Sequence, residues 1–117
     1  MGKIKLFAFL LIFSVSSCTD PKEVAESESQ EAVASVAQME LGLEVYNNKA
    51  QCGMCHTLQA AGSEGQIGTN LDQLKPLMPQ VVSAVTNGIG VMPSFEGMLS
   101  SEEIEAVSYF VSTSTNQ

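Results

Sequence analysis

Two thiols and an imidazole stand within five consecutive residues, Cys52-Gly53-Met54-Cys55-His56. On one turn of helix Cys55 and His56 follow Cys52 by three and four positions, which puts all three side chains on one face. The chemistry open to such a face is covalent attachment of a haem. Each thiol adds across a vinyl group as a thioether, and the imidazole then lies under the iron as its proximal ligand. Two other uses of these residues lack what they require. A dithiol redox motif of the thioredoxin type needs a βαβ context, and no alternation of strands and helices surrounds these cysteines. A zinc site needs four ligands, usually from two separated pairs, yet His56 is the chain's one histidine and the third cysteine, Cys18, falls in a different segment.

With no second imidazole available, the sixth position of the iron calls for methionine. Of the six methionines, Met1 begins the chain, Met39 precedes the first expected helix of the domain and Met54 lies between the cysteines. Met78, Met92 and Met98 remain. Met92 is preferred, because Pro93 holds it extended and Gly88 and Gly90 let the backbone wrap closely round a planar ligand. Met78 competes, since it too precedes a proline, Pro79, and spacing alone does not decide between them. Met98 reads as core filling, the ordinary use of this adaptable side chain.

The elements that must position these groups are helical. Met39 to Ala50 reads as a helix with Leu41 and Val45 along one side and Leu43 and Tyr46 along another. Gly42 inside it costs roughly 1 kcal/mol against Ala, so it implies close approach of another element, expected to be the C-terminal helix. That helix begins at Ser100, whose spacing to Glu103 forms a capping box, and runs through Ile104, Val107, Tyr109, Phe110 and Val111. Gln80 to Asn87 reads as a shorter helix with Pro79 in its first turn and Gly88 at its end. No run of period two is visible, so the domain is expected to be all-α.

Composition divides the 117 residues into three segments. Residues 1–17 carry Lys3 and Lys5 and then an apolar run, Leu6 to Val15, too short to span a bilayer, which reads as an export signal. Val15-Ser16-Ser17-Cys18 resembles the lipobox of bacterial lipoproteins, so Cys18 is expected to be lipidated and to tether the protein to a membrane. Residues 18–38 are rich in Ser, Glu, Ala and Gln without an aromatic residue and read as an acidic, flexible linker. A helix from Glu31 onward stays open, since Ala32, Val33, Val36 and Ala37 could form an apolar stripe. Residues 39–117 form the remaining domain. It is small for a self-sufficient core, and a haem would supply apolar bulk.

From about Met39 to Ser112 the chain resembles the class I (mono-haem) cytochromes c. The resemblance rests on a helix bearing Gly42 and Tyr46, the C-x-x-C-H motif, Gly68-Thr69-Asn70-Leu71, Gly90-Val91-Met92-Pro93-Ser94-Phe95, and a final helix bearing Tyr109. It implies the cytochrome c fold, three to four helices around one covalently attached haem c, with Cys52 and Cys55 as the thioether residues and His56 and Met92 as axial ligands. It also implies that Gly42 and Tyr46 pack against Tyr109. Where the family has a proline whose carbonyl accepts a hydrogen bond from the proximal histidine, this chain has Thr69, whose carbonyl can still serve and so tune the ligand. Leu71, Ile89 and Val91 read as walls at the haem edge.

With both axial positions filled, the iron can cycle between ferric and ferrous states and do little else, so the expected function is an electron carrier rather than an enzyme. His/Met ligation favours the reduced state and a relatively high potential. The expected partners are periplasmic or membrane-associated redox proteins such as a dehydrogenase, a quinol-oxidising complex or a terminal oxidase. Two alternatives are a dedicated electron-accepting subunit of a periplasmic dehydrogenase and a haem enzyme or sensor with a labile sixth ligand. From residue 39 onward eight carboxylates face two lysines, Lys49 and Lys75, which leaves −6, and the whole chain carries −8 without a single arginine. That balance disfavours nucleic acid and points to a basic docking patch on the partner.

Overall fold

The computed structural model describes residues 21–117, with side chains from residue 28 onward; residues 1–17, read as an export signal, and Cys18 lie outside the described residues. In chain order the elements are α1 (Pro21–Glu44), β1 (Thr57–Leu58), β2 (Ser63–Glu64), α2 (Leu71–Leu74), α3 (Met78–Asn87) and α4 (Ser101–Thr115). Among them α1 and α3 both pack on α4. The two strands are a minimal hairpin, Thr57 opposite Glu64 and Leu58 opposite Ser63. The all-α reading therefore holds; the hairpin and two isolated bridges, Ile89 with Met92 and Glu96 with Leu99, are the departures from it among the described residues. Strands this short carry no alternating pattern for the sequence to display.

The segment read as a flexible linker differs from expectation. From Pro21 it is helical, and it runs without interruption into the domain's first helix, so the boundary drawn before Met39 falls inside α1. Pro21 takes the first helical position, where its missing N–H costs nothing, and Ala, Glu and Gln are good helix formers. Composition that cannot bury a core can still form a helix continuous with a packed one. Val33 and Val36 of the expected apolar stripe are 70% and 57% exposed.

Within the domain α1 is regular only to Glu44. Val45 to Lys49 form a wider π turn, closed by Ala50 N–H on the Val45 carbonyl at 2.8 Å. That turn still directs Val45 and Tyr46 into the core, each 1% exposed. They join Leu58, Val81, Val85, Leu99, Ile104, Val107, Phe110 and Val111. Burying side chains of this size is worth about 1.5–3 kcal/mol apiece.

Close approach at Gly42 is what lets α1 cross α4. A Cβ there would run into the Ala106 carbonyl oxygen and stand 2.5 Å from Phe110 Cβ. The aromatic partner is Phe110, not the Tyr109 that the resemblance implied: the Tyr46 and Phe110 rings meet edge to face with centroids 5.9 Å apart. One residue along α4 is about 100° of rotation. Ile104, Val107 and Val111 set the inward direction, which turns Phe110 into the core and leaves Tyr109 half-buried at its flank.

The capping box of α4 and the Gly88 end of α3 form as the sequence implies, while α3 starts at Met78 rather than Gln80. At α4 the Ser100 Oγ accepts from Glu103 N–H at 3.2 Å and a Glu103 carboxylate oxygen accepts from Ser100 N–H at 2.9 Å. The other Glu103 oxygen accepts from Lys49 Nζ at 2.5 Å, which ties the start of α4 to the turn that precedes the cysteines. This hydrogen bond and ion pair hold the Glu103 carboxyl below its usual range. At α3 the Gln80 side chain accepts from Leu77 N–H at 2.9 Å, and Gly88, with φ +73°, closes the helix. Met98 does not fill the core. The turn from Phe95 to Leu99 points Leu99 inward at 7% exposure and leaves Met98 58% exposed.

Replacing Gly42 by alanine should overpack the crossing and cost about 1–3 kcal/mol. Thermal denaturation of the haem-loaded protein checks this, with an expected drop of roughly 4–8 °C for each kcal/mol lost.

Candidate haem-attachment site

Gln51 enters the left-handed region at φ +51°, and the chain then folds into a single tight turn from Cys52 to Met54. Cys55 N–H and His56 N–H both donate to the Cys52 carbonyl, at 3.1 and 2.9 Å. The turn therefore brings Cys52, Cys55 and His56 together, as their spacing implies. Both cysteines are half-buried free thiols. Burial pushes the Cys52 thiol up to about 11, so at neutral pH it keeps its proton. A protonated thiol carries both atoms that add across a vinyl double bond.

His56 is held from two sides. Its Nδ1 lies 2.8 Å from the Thr69 carbonyl oxygen. A carbonyl only accepts, so Nδ1 carries the proton and the lone pair of the neutral ring resides on Nε2, free to bind a metal. On its other flank the ring lies against Gly68, where a Cβ would stand 2.5 Å from Cε1 and 2.7 Å from Nδ1. Any other residue at position 68 would displace the imidazole. Gly68 N–H in turn donates to the Cys55 carbonyl at 2.7 Å, which fastens the loop carrying Thr69 to the turn carrying the histidine.

The hairpin completes the cradle, and sequence reasoning gave it no role. Ser63 Oγ donates to the His56 carbonyl at 2.9 Å, accepts from Leu58 N–H at 3.1 Å and lies 3.2 Å from the Tyr46 hydroxyl. Gly65 presses its backbone on the turn so closely that a Cβ would stand 2.6 Å from both the Cys55 carbonyl carbon and the Gly53 oxygen. Thr57 Oγ1 donates to the Gly65 carbonyl at 2.8 Å, and Asp72 of α2 accepts from Gln59 N–H at 2.9 Å. Of these residues Gly65 alone had a type that could have hinted at a close approach, since a serine in a loop resembles any solvated serine. Burial pushes the Tyr46 phenol up to about 12, against the opposing pull of its Ser63 hydrogen bond.

Met92 sits in the loop after α3, where Ile89 and Met92 exchange both backbone hydrogen bonds at 3.0 and 3.1 Å. Gly88 permits that tight return, because a Cβ would stand 2.6 Å from the Met92 oxygen and the φ of +73° disfavours one in any case. The loop is fastened to α3 by Ser94 Oγ on the Thr86 carbonyl at 2.5 Å and by Phe95 N–H on the Val85 carbonyl at 2.9 Å. Met92 itself is half-buried and packs beside the core. Met78, its competitor, is the first residue of α3. Of the expected edge walls, Leu71 is half-buried, whereas Ile89 and Val91 are 68% and 88% exposed.

These residues fit a haem. The donor set is two thiols and an imidazole whose second nitrogen is free, the Gly68 backbone leaves the ring the room it needs, and Ile67 beside Gly68 is an apolar side chain 73% exposed. Among the described residues no cluster of three or more His, Cys, Asp or Glu offers a rival metal site.

Comparison with known proteins agrees with this chemistry. Residues 37–111 match the family described as cytochrome C oxidase, cbb3-type, subunit III. The chain is similar to cytochrome c6 of Leptolyngbya boryana, 34% identical over 74 residues that span 60% of this chain and 85% of the relative. It is also similar to cytochrome c6 of Microcystis aeruginosa, 49% identical over 37 residues, 32% of this chain and 46% of the relative. The crystal structure of the c-type cytochrome SorU from Sinorhizobium meliloti superposes with a TM-score of 0.65 at 47% identity, covering 69% of this chain and 94% of that one.

The buried phenol yields a pH signature. A tyrosine in an unfolded chain titrates near pH 10, so the stability that neutral Tyr46 contributes is complete below about pH 10 and lost as pH rises through about 12, on the order of 2–3 kcal/mol. Tyr46→Phe should be less stable than the parent at pH 8 by about 1 kcal/mol, for the lost hydrogen bond. The gap should narrow or invert by pH 12 in denaturant titrations.

Proposed function

Because the chain belongs to the cytochrome c family described as cbb3-type oxidase subunit III, an electron-transfer family with covalently bound haem c, we propose that it carries single electrons between redox proteins through an iron held by His56 and Met92. When bound, haem c supplies a one-electron ferric/ferrous couple whose potential follows its axial ligands. The chain's own residues do the rest. Cys52 and Cys55 tether the group to one tight turn. His56 presents Nε2 because Thr69 holds the proton of Nδ1, and that 2.8 Å contact is the observation that carries the reading. A histidine so bonded is a stronger electron donor than a free one. Met92 offers a thioether from a loop that is outside any helix and closed by glycine. With His56 and Met92 both holding the group, no position would be left for substrate, which would separate a carrier from a haem enzyme or sensor.

Partners follow from charge and setting. The domain's −6 supports a basic patch on the protein that docks with it, through long-range steering that salt weakens. The family description supports a terminal oxidase or another membrane oxidoreductase as the class of acceptor. A dedicated subunit of a periplasmic dehydrogenase would use the same site. No helix among the described residues is long and apolar enough to cross a membrane. In this reading Cys18 supplies the attachment, as a lipidated residue exposed outside the cytoplasm after removal of residues 1–17.

Met92→Ala should abolish the thioether-to-iron charge-transfer band of the oxidised protein and admit carbon monoxide without denaturation, while Met78→Ala should leave the band in place. The opposite pattern would move the sixth ligand to Met78. Separately, Cys18→Ala should release the protein from membranes into the soluble fraction on cell fractionation; retention on membranes would contradict lipidation.

A further inference from the structure

Among the described residues, the Ser63 hydroxyl is the one side-chain hydrogen-bond donor that reaches His56 within 3.0 Å. A serine hydroxyl has one proton and two lone pairs. Its proton goes to the His56 carbonyl at 2.9 Å, since the Leu58 carbonyl, at 3.4 Å, is the weaker acceptor. Both remaining contacts must then be received: Leu58 N–H donates at 3.1 Å and Tyr46 O–H at 3.2 Å. This fixes the direction of the Tyr46 contact and uses the whole capacity of the hydroxyl. Tyr46 is buried and Ser63 half-buried, so water competes little for either. Gly53 makes the room, because a Cβ there would stand 2.7 Å from Ser63 Cβ and 3.5 Å from Tyr46 Cε1. The residue after the first cysteine is thus small for a reason outside the thiol chemistry.

His56 is held at three points: its N–H on the Cys52 carbonyl at 2.9 Å, its ring Nδ1 on the Thr69 carbonyl at 2.8 Å, and its own carbonyl by Ser63. The first two partners are main-chain oxygens, which every residue type carries. Only the third depends on a side chain. Tyr46 O–H, Ser63 O–H and His56 C=O form one chain of hydrogen bonds in which each group polarises the next. Its hydrogen ends point toward the histidine's own peptide. Without them the partial negative charge of that carbonyl would stand unmet beside the iron's ligand and favour the more positive, ferric state. We infer that Ser63 is a positioning residue for the iron couple: it relays the Tyr46 hydroxyl to His56, raises the potential, and fixes the angle at which the imidazole stands. This role rests on the reading of His56 as an axial ligand.

Two measurements on the haem-loaded protein test this role. One is the potential at neutral pH by spectroelectrochemical titration; the other is the spread of the hyperfine-shifted haem methyl resonances of the ferric form, which follows the axial-ligand angles. Ser63→Ala should raise the ferric-to-ferrous ratio about threefold at a fixed solution potential, about 28 mV in a one-electron couple, and alter the methyl spread. Ser63→Thr keeps the hydroxyl and should restore both. Tyr46→Phe should move both in the same direction by less, and should add nothing in the Ser63→Ala background, because its effect passes through Ser63. A lowered melting temperature in Ser63→Ala with parental potential and methyl spread would leave Ser63 as a brace of the hairpin and overturn the proposal. So would the alanine variant's potential in Ser63→Thr, or a full Tyr46→Phe shift in the absence of the Ser63 hydroxyl. Should Ser63→Ala fail to hold haem, Tyr46→Phe alone reads the chain, and a parental potential there would overturn it. Absence of hyperfine-shifted His56 ring resonances in the ferric parent would instead remove the reading on which the role rests.

Discussion

Which nitrogen of His56 faces outward is decided by one hydrogen bond, from Nδ1 to the Thr69 carbonyl, and the surrounding structure is arranged to keep that bond. Gly68 lets the ring lie on the backbone and ties its loop to Cys55. Ser63 and Gly65 press the hairpin on the same turn from the other side. Tyr46 reaches Ser63 from the core, so the helix that precedes the motif and the loop that follows it meet at the turn between them. The substitution of Thr69 for the family's proline leaves this contact in place, because the acceptor is a main-chain oxygen and does not depend on the side chain that follows it.

The second constraint is the crossing of α1 and α4. Gly42 permits contact of the α1 backbone with Ala106 and Phe110, and that contact fixes where Val45 and Tyr46 enter the core. Lys49 and Glu103 join the same two elements at the surface. Glu103 serves three purposes at once: it caps α4, pairs with Lys49, and places negative charge at a helix N-terminus, where the dipole favours it. The cysteine turn therefore hangs from a rigid helix pair on one side and is wrapped by its own following loop on the other. A small domain gains precision in this way without a large core.

Much of the site was legible because its chemistry is local. Cys52, Cys55 and His56 lie within one turn, so their spacing alone brings them together, and Ser100 with Glu103 announced the start of α4. Gly42 signalled a close approach because glycine within a helix has a cost that something must offset. The errors have equally specific causes. Tyr109 and Phe110 are both aromatic neighbours, and only the rotation of α4 against α1 selects between them. Met98 looked like core filling because side-chain type cannot show which way a turn faces. Residues 21–30 read as coil, with a helix from Glu31 left open, because low apolar content speaks against a core and says nothing against a helix that continues into one.

The sequence by itself determined the covalent chemistry, the helical class and the caps, since each depends on residues a few positions apart whose geometry the backbone imposes. Tertiary structure decided which nitrogen of His56 is free, which aromatic meets Tyr46, and that Ser63 braces the cysteine turn. These depend on contacts between segments that approach only when the chain folds. Carbonyl oxygens and serine hydroxyls are present throughout any sequence, and it is their final position that makes one of them a partner.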